Sequence, residues 1–173
     1  SHNHQLNIQS AGKKSSTGAF LNYTDNQGIM KNTYSKRING KITYDANPTT
    51  WLTTNVNLMV NHMWGRYTPE TGGDQLARRT MIEMMPWMPV YNADGTYTMA
   101  SNAAAIPNTG FESMANPVAL LDLQKRMVYN TQIFGNAALT FHLMEGLDLK
   151  TQLGIDNHFR SNKTYSSVTL ENQ

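Results

Sequence analysis

An all-β fold, an antiparallel sheet of about six long strands, is the reading that three features of the 173-residue chain support. Apolar and polar side chains alternate through six separate segments, as they do when a strand turns successive residues to opposite faces. The last four segments run to 11 or 13 residues, whereas soluble strands cluster near about 5 or 6. Connections alternate between short and long, the pattern of neighbouring strands joined by turns at one end of a sheet and by loops at the other.

The first strand is expected over 4–10, where Leu6 and Ile8 alternate with Gln5, Asn7 and Gln9. A short link, 11–17, leads to a second strand over 17–24, with Ala19, Leu21 and Tyr23 on one side. After a longer link, 24–35, the third strand over 36–46 sets Ile38, Ile42 and Tyr44 against Arg37, Asn39, Lys41, Thr43 and Asp45. Pro48 is expected to begin the turn in 47–51. The fourth strand, 52–62, carries Val56, Leu58 and Val60 between Asn55, Asn57 and Asn61. A long segment, 63–130, precedes the fifth strand over 131–143, where Ile133, Ala137, Leu139, Phe141 and Leu143 oppose Gln132, Asn136, Thr140 and His142. A tight turn at 144–146 opens the sixth strand, 147–159, with Leu149, Leu153 and Ile155 opposite Asp148, Lys150, Gln152 and Asp156.

Beyond the first residue of the third and sixth strands, every charge falls on the polar side. A face in contact with hydrocarbon demands this, since an Arg or Lys at mid-depth costs about 2–4 kcal/mol. A soluble core imposes nearly the same rule, so length must separate the two. Eleven residues at roughly 3.3 Å each and about 45° of tilt rise about 26 Å, close to the roughly 25 Å apolar band of an outer-membrane barrel. Aromatic residues also sit where interface girdles need them: Tyr44 and Phe141 toward the short-turn end, Tyr23, Trp64 and Phe159 toward the other. The expected fold is therefore a segment of an antiparallel transmembrane β-barrel with one long, partly helical extracellular loop.

Composition agrees with polar surfaces of low charge. Apolar residues make up 39% and charged residues 15%, with Asn, Gln, Ser, Thr and Gly filling the difference. Fourteen basic against twelve acidic residues leave a net charge of +2, and Arg78-Arg79 is too short a cluster for a nucleic-acid footprint. There is no cysteine, hence no disulfide and no thiolate metal site. Mean hydropathy is negative. Barrel strands alternate and average out as polar, so that value does not separate a soluble chain from a membrane wall.

The long segment has order of its own. Asp74 can cap a helix over 74–85 with a stripe of Leu76, Ala77, Thr80, Met81 and Met84, which Pro86 stops. Asn92-Ala93-Asp94-Gly95 reads as a hairpin turn within 87–97, and Asn116-Pro117 as an N-cap and first-turn proline for a short helix reaching Gln124. No enzyme is expected: no nucleophile, base and acid share a local signature, and Glu83 and Glu112 stand alone. His2 and His4 lie two apart on one strand face without further ligands, and His62, His142 and His158 are isolated, so all five are read as structural. The oxygen-rich 92–96 stretch lacks the other acidic positions of a calcium loop, and Met81, Met84, Met85 and Met88 suit adaptable packing better than copper or haem. No metal or cofactor is expected.

Two stretches carry a family resemblance. LNYTDNQGIMKNTYSKRINGKITYDANPTTWL, residues 21–52, resembles the barrel segment of SusC/RagA-type TonB-linked outer-membrane transporters, with its Asn-Tyr-x-Asp-x-x-Gly-Ile motif and Trp-Leu after the turn. MPWMPVYNADGTY, residues 85–97, is similar to an extracellular loop of that family, and the likeness continues through Asn116-Pro117, GNAALTFHLMEGL and LKTQLGIDN. The resemblance implies a 22-stranded barrel of the bacterial outer membrane holding a plug. It also implies a SusD/RagB-like surface lipoprotein that hands in glycans or peptides, and energy from the TonB complex acting near the plug. No signal peptide, TonB box or plug is recognisable here, TLENQ lacks the aromatic end of a final barrel strand, and six strands cannot enclose a plug. The whole of 1–173 is thus expected to be an internal part of one barrel domain.

Trp87, Tyr91 and Tyr97 are the candidate contacts to ligand or partner, since aromatic faces stack on sugar rings or grip peptide side chains. The competing reading has them anchoring the loop. The competing function is a soluble secreted β-sandwich that buries Val56, Leu58, Leu139, Leu153 and Ile155 and presents Trp87 and Tyr91 to a glycan.

Overall fold

A computed structural model describes residues 1–68, 77–84, 86, 88–98 and 116–167. The chain is all-β, with six antiparallel strands in one sheet: β1 (His2–Ala11), β2 (Ser15–Gln27), β3 (Tyr34–Thr49), β4 (Leu52–Tyr67), β5 (Lys125–Met144) and β6 (Leu147–Tyr165). Spatial order follows chain order, and the sheet is not closed. Each strand contains its expected segment and is longer. Among the described residues of the segment between β4 and β5 are two short helices, α1 (Ala77–Glu83) and α2 (Pro117–Leu123).

The longer strands shorten all five expected connections, the 63–130 segment to 68–124 and the 144–146 turn to Glu145-Gly146. The 24–35 link is mostly strand, leaving only Gly28–Thr33 between β2 and β3, because the ladder continues past Tyr23. Asp25 and Lys36 form an ion pair at 3.1 Å there, and the turn closes by Gly28 N donating to Thr33 O at 2.9 Å with Asn32 at φ 64°. Asparagine tolerates that left-handed conformation better than other non-glycine residues do. The 11–17 link shrinks to Gly12–Lys14, closed by Gly12 N donating to Ser15 O at 2.7 Å. Pro48 lies inside β3 and the turn is Thr50-Trp51. A proline fits a strand only where the ladder does not need its N–H.

The described residues divide into two compact units, one of Ser1–Gln27, Ser35–Trp64 and Tyr129–Ser161, the other of Gly28–Tyr34, Gly65–Val128 and Asn162–Gln173. The first unit is the body of the sheet. Its edges are β1, 10 residues long, and most of the 19-residue β6, both exposed along their whole length. Pairing of β1 with β2 runs from His2 opposite Asp25 to Ala11 opposite Ser16. The β5–β6 turn places Gly146 at φ 79°, a conformation that glycine adopts without steric cost.

The second unit has a small core of its own, made of Ala77 from α1 and Ala119, Leu120 and Leu121 from α2, with Met30, Tyr97 and Leu123 packed against it. Asn116 caps α2 as expected, accepting from Val118 N at 3.0 Å and Ala119 N at 3.3 Å. The expected stripe on α1 is narrower than its sequence suggests. Ala77 and Thr80 are buried and Met84 half-buried, but Met81 is exposed, because a 7-residue helix turns only a thin strip toward its neighbour. Asp74, Leu76 and Met85 lie outside the described residues.

Candidate functional site

The two faces of the sheet differ in chemistry, and each is continuous across strands. On one face, Leu6 and Ile8 of β1, Ala19 and Leu21 of β2, Gly40 and Ile42 of β3, and Leu58 and Val60 of β4 border one shallow groove. Val56 and Leu58, Gly135 and Ala137 of β5, and Leu153 and Ile155 of β6 border a second. Leu58 belongs to both grooves, so the apolar sides of all six strands form one surface. These side chains are not buried: Leu58 is 39% exposed, Ile155 52% and Leu153 78%. The described residues of this unit form a single layer, without a second sheet to cover them.

Aromatic residues flank that face at both ends. Trp51 and Phe141 stack at 6.1 Å beside the short turns, where His142 N donates to Trp51 O at 2.8 Å and fixes the register of β5. At the opposite end His4 stacks on Tyr23 at 6.5 Å and His62 on Trp64 at 5.2 Å. Thr131 Oγ1 lies 2.7 Å from His62 Nδ1, which satisfies a ring nitrogen that shares the apolar parity of Val56, Leu58 and Val60. Phe159, expected in the same girdle, is exposed on the apolar parity of β6.

The other face is amide-rich. Asn22 Nδ2 donates to Asn3 Oδ1 at 2.7 Å and Asn39 Nδ2 to Asn22 Oδ1 at 3.4 Å, a row across β1, β2 and β3. Asn55 Nδ2 donates to Asp45 Oδ1 at 2.7 Å and Gln132 Nε2 to Asp156 Oδ1 at 3.4 Å. His158 pairs with Asn130. His142, read as isolated in the sequence, bridges two strands: its Nε2 lies 3.0 Å from Thr53 Oγ1 and its Nδ1 2.8 Å from Asp148 Oδ1. No local spacing reveals that cluster, since its members come from β4, β5 and β6.

In the second unit, Asp122 gathers donors from separate parts of the chain. Lys31 Nζ approaches Oδ2 at 2.7 Å, Asn32 Nδ2 donates to Oδ1 at 2.7 Å and the Tyr97 hydroxyl donates to Oδ2 at 2.8 Å. Arg66 Nη2 donates to Leu121 O at 2.7 Å and Gln124 O at 3.1 Å, the carbonyls at the end of α2. Burial pushes the Asp122 carboxyl up, but the bonds from Lys31, Tyr97 and Asn32 outweigh it and leave its pKa below the ordinary 3.8. The bond to Asp122, and burial with it, pushes the Tyr97 hydroxyl from 10.0 up to about 12.

A pH dependence follows from those two shifts. The lowered carboxyl contributes stability above pH 3.8 that is lost as pH falls through its folded value. The raised phenol contributes stability below pH 10.0 that is lost as pH rises through about 12. Near-ultraviolet circular dichroism of the tyrosines should hold a plateau between the two and decline outside it, and Asp122→Asn should diminish the acid limb, leaving the share of Asp94. A decline centred near neutral pH contradicts this assignment.

Of the three candidate contacts, Trp87 lies outside the described residues. Tyr91 and Tyr97 flank the expected hairpin turn as a bridged pair, their rings 5.2 Å apart. Asp94 Oδ1 accepts from Thr96 N at 2.9 Å and from Thr96 Oγ1 at 2.6 Å, bonds that hold its carboxyl below the usual range. Tyr97 packs on the small core with its hydroxyl on Asp122, an anchoring position. Tyr91 is 49% exposed and is the one of the pair that a partner could reach. Among the described residues no three His, Cys, Asp or Glu side chains converge as metal ligands, and no helix is long and apolar enough to cross a membrane. Glu112 and the side chain of Glu83 fall outside the described set. No family model matches the chain, and no curated protein matches it.

Proposed function

We propose that this chain is part of the wall of a TonB-dependent outer-membrane transporter of the SusC/RagA type. Its sheet stands in the bilayer with the Leu58 face toward lipid and the Asn57 face toward a wet passage. One observation carries the reading: a continuous apolar surface over six strands is exposed, flanked by aromatic residues at both ends, and backed by an amide-rich face. Water gives such a surface no stability, whereas hydrocarbon does. The exposed edges β1 and β6 support a place within a larger wall, because long bare edges invite pairing and closure removes them. Further strands, a plug and the TonB complex belong to that assembly, as does a SusD/RagB-like lipoprotein passing in glycans or peptides.

In this reading the segment between β4 and β5 lies on the extracellular side, with Tyr91 available to cargo or lipoprotein and Tyr97 holding the segment together. The soluble sandwich draws no support from a single layer that leaves Leu58, Leu153 and Ile155 exposed. Fractionation tests the proposal. The protein should sediment with outer membranes and stay there through salt and alkaline washes until detergent is added. A monomer that remains dispersed without detergent and unfolds cooperatively overturns the membrane assignment.

A further inference from the structure

The polar face of the sheet places a hydroxyl, an imidazole and a carboxylate in the order needed for nucleophilic catalysis. Thr53 on β4 lies with Oγ1 3.0 Å from His142 Nε2 on β5, and His142 Nδ1 lies 2.8 Å from Asp148 Oδ1 on β6. An ionised carboxylate only accepts hydrogen bonds, so Asp148 holds the ring proton on Nδ1 and leaves the Nε2 lone pair facing the Thr53 hydroxyl. The backbone supports this register, with His142 N bonded to Trp51 O at 2.8 Å and the neighbouring Phe141 stacked on Trp51. His142 and Asp148 side chains are 42% and 56% exposed, so a dissolved ester can reach them.

We propose that Thr53 is an activated nucleophile and that Thr53, His142 and Asp148 form an acyl-transfer centre for small carboxylic esters. His142 Nε2 removes the Thr53 proton as Oγ1 bonds to the ester carbonyl carbon and the carbonyl electron pair moves to oxygen. Collapse of that intermediate breaks the ester C–O bond, and the departing alkoxide takes the proton from Nε2. Water, deprotonated by the same nitrogen, then attacks acyl-Thr53, releasing the carboxylic acid and returning a proton to Oγ1. Asp148 is the positioning residue, acting through the ring. The inference rests on the polar face alone and stands whether lipid or protein covers the other.

The test incubates the intact protein with p-nitrophenyl acetate, follows p-nitrophenolate release and maps acetyl groups by peptide mass spectrometry. Acetyl-Thr53 is expected, its rate of formation lower by about 100-fold or more in His142→Ala, with acetylation retained on the serine hydroxyl in Thr53→Ser. Asp148→Asn should also slow acylation, with unchanged circular dichroism. Acetylation confined to lysines in the wild-type protein overturns the proposal, as does acetyl-Thr53 forming at the same rate without His142.

Discussion

Replacing Leu58 with arginine is expected to destabilise the protein folded into lipid vesicles by about 2–4 kcal/mol, while Asn57→Arg, one residue away, is tolerated. Both side chains are long, charged and on the same strand, so propensity and length cancel and only the face differs. Leu58 borders both apolar grooves between Ile42, Val60 and Ile155. With that face toward lipid, as proposed, an arginine there stands in hydrocarbon or reaches past several residues to a headgroup. Asn57 belongs to the face where Asn55 bonds Asp45, and a guanidinium there can keep its water. Denaturant titration of the protein folded into lipid vesicles measures both variants. Equal losses at the two positions contradict opposed lipid and water faces.

The second large effect is expected at Asn116. This side chain is 1% exposed and serves four groups: it accepts from Val118 N and Ala119 N and donates to Val90 O at 2.8 Å and Thr98 O at 3.2 Å. Asn116→Ala removes an N-cap, typically worth about 1 kcal/mol, and strands two carbonyls in a site that water does not reach. The combined loss should be about 3 kcal/mol, enough to disperse so small a core. Asn116→Asp keeps the capping acceptor but sets a carboxylate oxygen against the two buried carbonyls that Nδ2 served, so at neutral pH it should lose at least as much as alanine. Thermal melting read on the tyrosine signal distinguishes them. An alanine variant that melts with the wild type would show that α2 is held by other contacts.

The strands were legible because their period is two and their apolar sets are long. Leu6 and Ile8, Ile38 and Ile42, Leu153 and Ile155 each mark one face without help from the rest of the chain. Their ends were less legible. Thr24–Gln27 offer no apolar alternation, and the ladder's continuation shows only in the structure, in the pairing of Asp25 with His2 and its ion pair with Lys36. Pro48 reads as a turn residue, yet the ladder accommodates it inside β3. In the second unit the cap was legible at Asn116-Pro117, but the convergence on Asp122 was not, since Lys31, Tyr97 and Asp122 are far apart in sequence. The same distance hid the contact of Thr53 with His142, 89 residues apart. Alternation announces a face, whereas a site built across strands appears only when the register is known.

Collision accessibility of nitroxide labels, placed one at a time at 55–60 and 152–157 in the protein reconstituted into lipid vesicles, tests the two-faced sheet most directly. Labels at Val56, Leu58, Leu153 and Ile155 should collide with dissolved oxygen and be shielded from a water-soluble nickel chelate. Labels at Asn57, Gln152 and Asp156 should show the reverse, with a period of two along both strands. Apolar-side labels shielded from both reagents, as in a packed protein interior, contradict the account.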